Sequence, residues 1–344
     1  MMNRNMHARE GDLIETVENV IFDVKGLVHP EDKVIAFPRF IPTLEGPRKR
    51  GSTSYGKIYS LSERIEYLRE KLPHYIFYDP IFDETLCAVQ WGNVKKIYKP
   101  TARLKTLRTG GNLDDLEFIA LQLLTILREK SGVSWSKMGI SGSLLVKMHT
   151  ENSDIDPVIY GSENCRKVHS TLQKLLQEGD TPFKPYDVDE LKTLFEFRSK
   201  DTKMNFSDFV IVESRKTFQG KFMGRDYFIR FIKDWNEIEE KYGDVQYRNC
   251  GYAKIEATVI DDSEAIFTPC KYRIEDVKII EGPKLHPISE IVSFRGRFCE
   301  QARKDEKVIA TGKIENVKDR MRAVEYYRLL IGNKPSDSMI LKTQ

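Results

Sequence analysis

The sequence predicts a mixed α+β protein with β-rich segments at both ends and a central block in which helix and strand patterns alternate. Three observations predict it. The first and last hundred residues consist largely of short runs of β-branched and aromatic residues separated by turn chemistry. From Asn112 onward, apolar residues recur at helical spacing in successive segments, with short apolar runs of strand length between them. The chain has 344 residues, 40% hydrophobic and 31% charged, with 21 Gly and 14 Pro, which is neither the apolar poverty of disorder nor low-complexity bias. At roughly 100 to 200 residues per domain this favours two or three domains, with boundaries expected at 1–109, 110–240 and 241–344.

In chain order, Val20–Val24 and Val34–Ile41 are strand-like and are separated by the turn residues His29-Pro30-Glu31-Asp32, so a hairpin is expected. Leu61, Ile65, Leu68 and Leu72 share one helix face, with Ser60 or Ser62 as cap and Pro73 as stop. Lys95, Lys96, Lys99, Arg103, Lys105 and Arg108 follow one another without an acid and end at Gly110-Gly111, the expected basic linker and domain boundary. Leu116, Ile119, Ala120, Leu123 and Leu127 predict a helix from an Asn112 cap to a left-handed stop at Gly132. The run Met138–Ile140 leads into Ser141-Gly142-Ser143, after which Leu144–Met148 has room for one or two helical turns. Asp154–Tyr160 is strand-like, residues 162–178 and 188–197 are helical, 206–212 is ambiguous, and 226–232 is a strand. Beyond 251 the pattern returns to strands (251–260, 265–268, 277–280, 291–298 and 308–314), with a helix expected only at 320–330.

Charge and cysteine usage exclude little but narrow the setting. Fifty-five Lys and Arg against 52 Asp and Glu give a formal charge of +3, which neither demands nor forbids a nucleic-acid partner. Cys87, Cys165, Cys250, Cys270 and Cys299 are scattered singly, without the spacing of a zinc site, as reduced thiols of a cytoplasmic protein would be. Met1–Asp12 lacks the apolar core of a secretory signal, and Phe118–Leu127 falls far short of the ~20 residues that span a bilayer.

The chemistry concentrates in MGISGSLLVKMHTENSDIDPVIY, residues 138–160. In an extended strand, side chains two apart share a face, so Asp154 and Asp156 point one way and Ile155 the other. Two carboxylates on one patch repel unless a cation lies between them, and hard divalent ions prefer such oxygen ligands. Gly142-Ser143, between a strand and a short helix, offers backbone N–H groups and a hydroxyl to a phosphate. Pro157 follows the second acid and lacks an N–H, so the strand there is expected at an edge or with a missing bond.

An apolar-Gly-Ser turn, about ten residues, then Asp-apolar-Asp and a strand resembles the signature of the polymerase-beta-type nucleotidyltransferase superfamily. The whole chain also resembles an archaeal group of predicted nucleotidyltransferases in which this domain lies between β-rich flanks. The resemblance implies a central nucleotidyltransferase domain with a short mixed sheet, Gly142 and Ser143 on the nucleotide phosphates, and Asp154 and Asp156 holding Mg2+ or Mn2+. It also implies a third carboxylate from a later strand. Asp226 is the first candidate, in a stretch where Asp226, Phe228 and Arg230 alternate onto one face and Arg230 can meet phosphate charge; Asp208 is the rival, and equally marks the start of a helix. Lys147 is a candidate for the triphosphate, His149 a weaker one, and the basic run 95–108 with Arg48-Lys49-Arg50 a candidate track for RNA or DNA. The expected activity is transfer of a nucleoside monophosphate from an NTP to an acceptor hydroxyl, nucleic-acid ends included. The alternative is an inactive scaffold of the same fold that binds nucleic acid or regulates. A third is transfer to a small molecule or a protein side chain.

Overall fold

The structure, a computed structural model, describes residues 7–283 and 288–342. The fold is mixed α/β, as the patterns predict, but the chain divides elsewhere than expected. Its two compact units are residues up to Tyr78 with Thr85–Lys174 and Phe222–Tyr242, and Asp79–Glu84 with Leu175–Lys221 and the chain from Gly243 onward.

In the first unit, β1 (Leu13–Thr16), β2 (Ile21–Val24), β3 (Lys33–Thr43), β4 (Arg48–Arg50) and β5 (Thr53–Lys57) precede α1 (Leu61–Lys71), β6 (Ile76–Asp79), β7 (Glu84–Gln90) and β8 (Val94–Tyr98). The sheet runs β4-β5-β3-β2-β1-β8, and β2 and β3 form the expected antiparallel hairpin. Helix α1 has the Ser60 cap, in a reciprocal box with Glu63. Leu68 and Tyr75 join Ile14, Phe22, Val34 and Val89 in one core. A second core explains why the first hundred residues are not a separate domain: Leu13, Ile21, Phe40 and Tyr55 of the sheet pack with Leu145, Val146 and Met148, which follow the Gly-Ser turn. Burying each such side chain contributes roughly 1.5–3 kcal/mol as an upper figure.

The basic run is not a linker. Lys95 and Lys96 lie on β8, and α2 (Pro100–Thr109) starts at Pro100, whose fixed φ suits a first helical position. Acids distant in sequence pair with three of its six cations: Lys95 meets Glu15 at 3.1 Å, Lys99 meets Asp12 at 2.7 Å, and Arg103 pairs with Glu117. Helix α2 rests on Gly139, where a Cβ would lie 2.6 Å from Pro100 Cβ. Gly110-Gly111 therefore joins two helices of one unit. Helix α3 (Asp115–Ser131) is capped by Asp114 rather than Asn112, in a box with Glu117, and ends at Gly132 with φ +71°. Next come β9 (Met138–Ile140), α4 (Gly142–Leu145), β10 (Pro157–Tyr160) and α5 (Ser162–Gln177).

The chain continues with β11 (Phe183–Lys184), α6 (Val188–Arg198), α7 (Phe206–Glu213), β12 (Gln219–Phe222), β13 (Arg225–Phe228) and β14 (Arg230–Ile232). The ambiguous 206–212 is thus helical, and the single strand expected over 226–232 is broken at Ile229. Strand β10 is central in a short mixed sheet, parallel to β14 and antiparallel to β9.

In the second unit, β15 (Val245–Glu264), β16 (Cys270–Glu281), β17 (Ile288–Ser293), β18 (Lys307–Asp319) and β19 (Val324–Leu330) pair in the order β15-β16-β17-β19-β18, and β15 also pairs with β18. The sheet closes on itself as a five-stranded barrel with β17 and β19 parallel, the strand order of an OB-type Greek key. β20 (Ser338–Leu341) adds to β18. Two expectations fail here. Residues 265–268 form the turn before β16, and the helix expected at 320–330 is a turn followed by β19. Its residues favour a helix locally, but seven residues of β19 pair with β18 from Asp319↔Val324 to Lys313↔Leu330, and tertiary pairing overrides the weak propensity. Among the described residues no helix is long and apolar enough to cross a membrane.

Candidate functional site

The acidic pair and the Gly-Ser turn meet at the end of β10 in the first unit. Ser141 is extended at the end of β9; its hydroxyl donates to the Gly11 carbonyl at 2.7 Å, and its N–H donates to the Asp156 carbonyl at 2.8 Å. The chain then turns at Gly142, with φ +62°. A Cβ on this residue would lie 1.8 Å from Asp156 Oδ2, so the Asp156 carboxylate occupies the space a side chain would fill. Ser143 is buried, and its hydroxyl has no hydrogen-bond partner among the described residues.

Alternation places the acids as the sequence predicts. Ile155 is fully buried, while Asp154 is 41% exposed and Asp156 half-buried. The Ile155 N–H donates to the Asp226 carbonyl and the Phe228 N–H donates to the Ile155 carbonyl, both at 2.9 Å, in a parallel bridge with Tyr227. This register sets Asp226 beside Asp154 on the same sheet face. Asp226 is exposed there, yet it does not join the pair in a compact cluster. Among the described residues, the trio with ligand atoms all within 4.8 Å is instead Asp114, Glu117 and His149.

The Ser141–Asp156 bond makes Pro157↔Ile140 a non-hydrogen-bonded pair, so the Pro157 nitrogen faces the other neighbour. The missing donor therefore interrupts the ladder between the Ile155 bridge and the Val158↔Arg230 pairing. Pro157 sits at the first residue of a central strand rather than at a sheet edge.

Electrostatics single out Asp156. Burial, and then the charge of Asp154, push its carboxyl up to about 6, against the opposing fields of Arg230, Lys57 and Arg39. Burial and the like charge of Asp154 together outweigh the surrounding cations, an environment that a divalent ion between the two carboxylates would relieve. Lys57, at the end of β5, approaches Asp154 Oδ1 at 3.9 Å, and its side chain is only 9% exposed. Arg48 on β4 donates to the Met148 carbonyl at 2.6 Å and to Ser153 Oγ at 3.2 Å, holding the loop that leads to Asp154.

The other candidates fall differently. Arg230 meets Glu10 at 3.2 Å and Asp23 at 3.3 Å, and Lys25 joins the same acids. Its ion pairs are with these interior carboxylates, and its charge also acts on Asp156. Lys147 is exposed with φ +56°, and among the described residues no ion pair joins it to the acids. His149 Nε2 lies 2.6 Å from Asp114 Oδ2. Asp114 and Glu117 cap α3, and Glu117 also holds Arg103, so that trio has a structural explanation. Arg50 is spent on Glu15 at 2.7 Å and on Tyr98. Lys95, Lys99 and Arg103 are likewise ion-paired, while Arg48 donates to a carbonyl and a hydroxyl, so part of the charge of the expected basic track is answered within the fold. Asp208 stands in the first turn of α7 in the second unit, lining an open cleft of about 480 Å3 with Ser199, Lys203 and Asn205. No carboxylate pair backed by a glycine lines that cleft.

Sequence reasoning missed Lys57 and Arg39, which carry no local signal because β3 and β5 bring them to Asp156 only through tertiary pairing. Arg48 was visible as part of a charge run, but its task in holding a loop was not.

The chain is 34% identical over 335 residues to the uncharacterized protein MJ1086 of Methanocaldococcus jannaschii, an alignment covering 95% of this chain and 96% of that one. No protein-family profile matches the chain. No solved structure matches it.

Proposed function

This chain belongs to the same family as that archaeal protein, and we propose that it is a metal-dependent nucleotidyltransferase, moving a nucleoside monophosphate from an NTP to an acceptor hydroxyl. The observation that carries this reading is the seating of the Asp156 carboxylate against Gly142, with Asp154 beside it on the same face. Asp154 and Asp156 are the residues that would hold Mg2+ or Mn2+, and Asp226, in register with Asp154, is the candidate third acid. When bound, the divalent ion supplies Lewis-acid charge to the triphosphate oxygens and the acceptor oxygen. The chain's own part is to orient and to exclude water. Gly142 lets the backbone approach closely, and the buried Ser143 hydroxyl is a free hydrogen-bonding group for a phosphate oxygen. Asp156 must shed its proton before it can serve as a ligand.

The test is incubation of the full chain with labelled NTPs, Mg2+ or Mn2+, and RNA, DNA, protein and small-molecule acceptors. Wild type is expected to transfer label, and Asp154→Asn and Asp156→Asn to lose transfer by two or more orders of magnitude, roughly the effect of removing a major charge-stabilising group. Variants that match wild type in both nucleotide binding and transfer overturn the reading.

A further inference from the structure

We propose that Lys57 binds the phosphate chain of the incoming triphosphate, an inference that rests on the nucleotidyl-transfer reading of the Asp154–Asp156 site. The Lys57 side chain is more than nine-tenths buried, yet none of the hydrogen bonds among the described residues uses its ammonium group. Its nearest acidic oxygen, Asp154 Oδ1 at 3.9 Å, lies beyond hydrogen-bond reach. The stem is thus buried while the head keeps some contact with solvent, 5.0 Å from the centre of the Tyr59 ring and with no hydrogen-bond acceptor among the described residues, so the ammonium is open to an anionic ligand.

Two features indicate which acceptors are missing. The ammonium has three donors, and a phosphate presents several charged oxygens to satisfy them. A second buried polar group of the site, the Ser143 hydroxyl, also lacks a partner, next to the glycine on which Asp156 rests. The backbone that carries Lys57 is set by strand pairing. Lys57 pairs with Phe40 across β3 and β5, and Arg48 on the adjoining strand holds the loop that carries Asp154. Lys147, the candidate nearest the turn in sequence, is exposed by contrast.

A rival role for Lys57 is that of a built-in counter-ion to Asp154, and the two roles predict different binding. Isothermal titration of the full chain with inorganic tripolyphosphate without metal, with ATP and Mg2+, and with Mn2+ alone separates them. The set comprises wild type, Lys57→Ala, Lys57→Gln, which keeps much of the stem if alanine impairs folding, and Lys71→Ala as an exposed lysine control from α1. Loss of one charge-assisted contact predicts about 10- to 100-fold weaker tripolyphosphate binding for both Lys57 variants and no change for Lys71→Ala. Tripolyphosphate binding equal to wild type, with Mn2+ bound more tightly, overturns the proposal in favour of the counter-ion. If wild type binds ATP through Asp154 and Asp156 while the Lys57 variants do so equally well, only the Lys57 inference falls. If wild type binds neither ATP nor tripolyphosphate, the nucleotidyl reading falls with it.

Discussion

Gly142 and Asp156 depend on each other. The turn needs a residue tolerant of φ +62°, and the acid needs the space that a Cβ would take. The pair therefore places a carboxylate where burial and the Asp154 charge raise its affinity for a proton. The sign of the resulting pH dependence is fixed. An acid whose folded-state value lies above its unfolded one binds more protons when folded, so stability is greatest below the unfolded value of 3.8 and falls as pH rises toward about 6. The whole swing is at most about 3 kcal/mol, less whatever solvent screens. Asp154→Asn removes the like charge, so it should lower the Asp156 value and shrink this loss. Carboxyl-carbon NMR titration of Asp156 and melting curves at pH 4 and 7 in chelator measure both, and an unchanged Asp156 titration in Asp154→Asn would show that the acids do not interact. Metal binding should weaken below about pH 6, since protons then compete for the same oxygens.

At the scale of elements, Pro157 shapes the site's sheet. Its ring removes the one donor that would face the Phe228 carbonyl, and the strand opposite breaks at Ile229 between β13 and β14. Pro157→Ala should mend the ladder. The new hydrogen bond contributes about 0.5–1.5 kcal/mol, while the freer unfolded chain costs about 0.4–1 kcal/mol, so net stability should move by less than about 1 kcal/mol. Hydrogen exchange should nonetheless show a protected amide at position 157. A rapidly exchanging amide there would mean that something other than the missing donor opens the sheet. Helix caps and stops were legible because they are local: Ser60, one of the two caps the sequence offers, and the Gly132 stop serve as the sequence predicts. Asp114 displaced Asn112 as cap because its partner Glu117 lies at the right spacing to return the hydrogen bond.

At the scale of the molecule, each unit has its own core, and the second also buries charge. Lys313 Nζ lies 2.6 Å from Glu84 and 2.8 Å from Glu315, and Arg328 Nε lies 2.7 Å from Glu315. Glu315 is therefore the anion shared by two buried cations, and against the opposing effect of burial its charge raises the proton affinity of both, with Glu84 helping at Lys313. Glu315→Gln leaves both short of a partner and should cost about 3 to 5 kcal/mol. Because two cores rarely unfold as one, calorimetry of the wild type should give an enthalpy above the van 't Hoff value. The substitution should lower the transition of the second unit alone. A uniform shift of a single two-state transition would show that the units do not unfold separately.

The sequence by itself determined whatever depends on near neighbours: the alternation that turns Asp154 and Asp156 one way, the glycine before Ser143, most helix limits, and the mixed α/β class. These follow from periods of two and 3.6 residues and from backbone freedom at single positions. Only the tertiary structure decided that Glu15, Asp12 and Glu117 pair with three cations of the basic run, that Arg230 pairs with interior acids, that 324–330 is a strand, and that Lys57 stands beside Asp154. Each of those outcomes rests on charges or strand edges far apart in the chain, and such long-range pairings leave no periodic trace in the residues that make them.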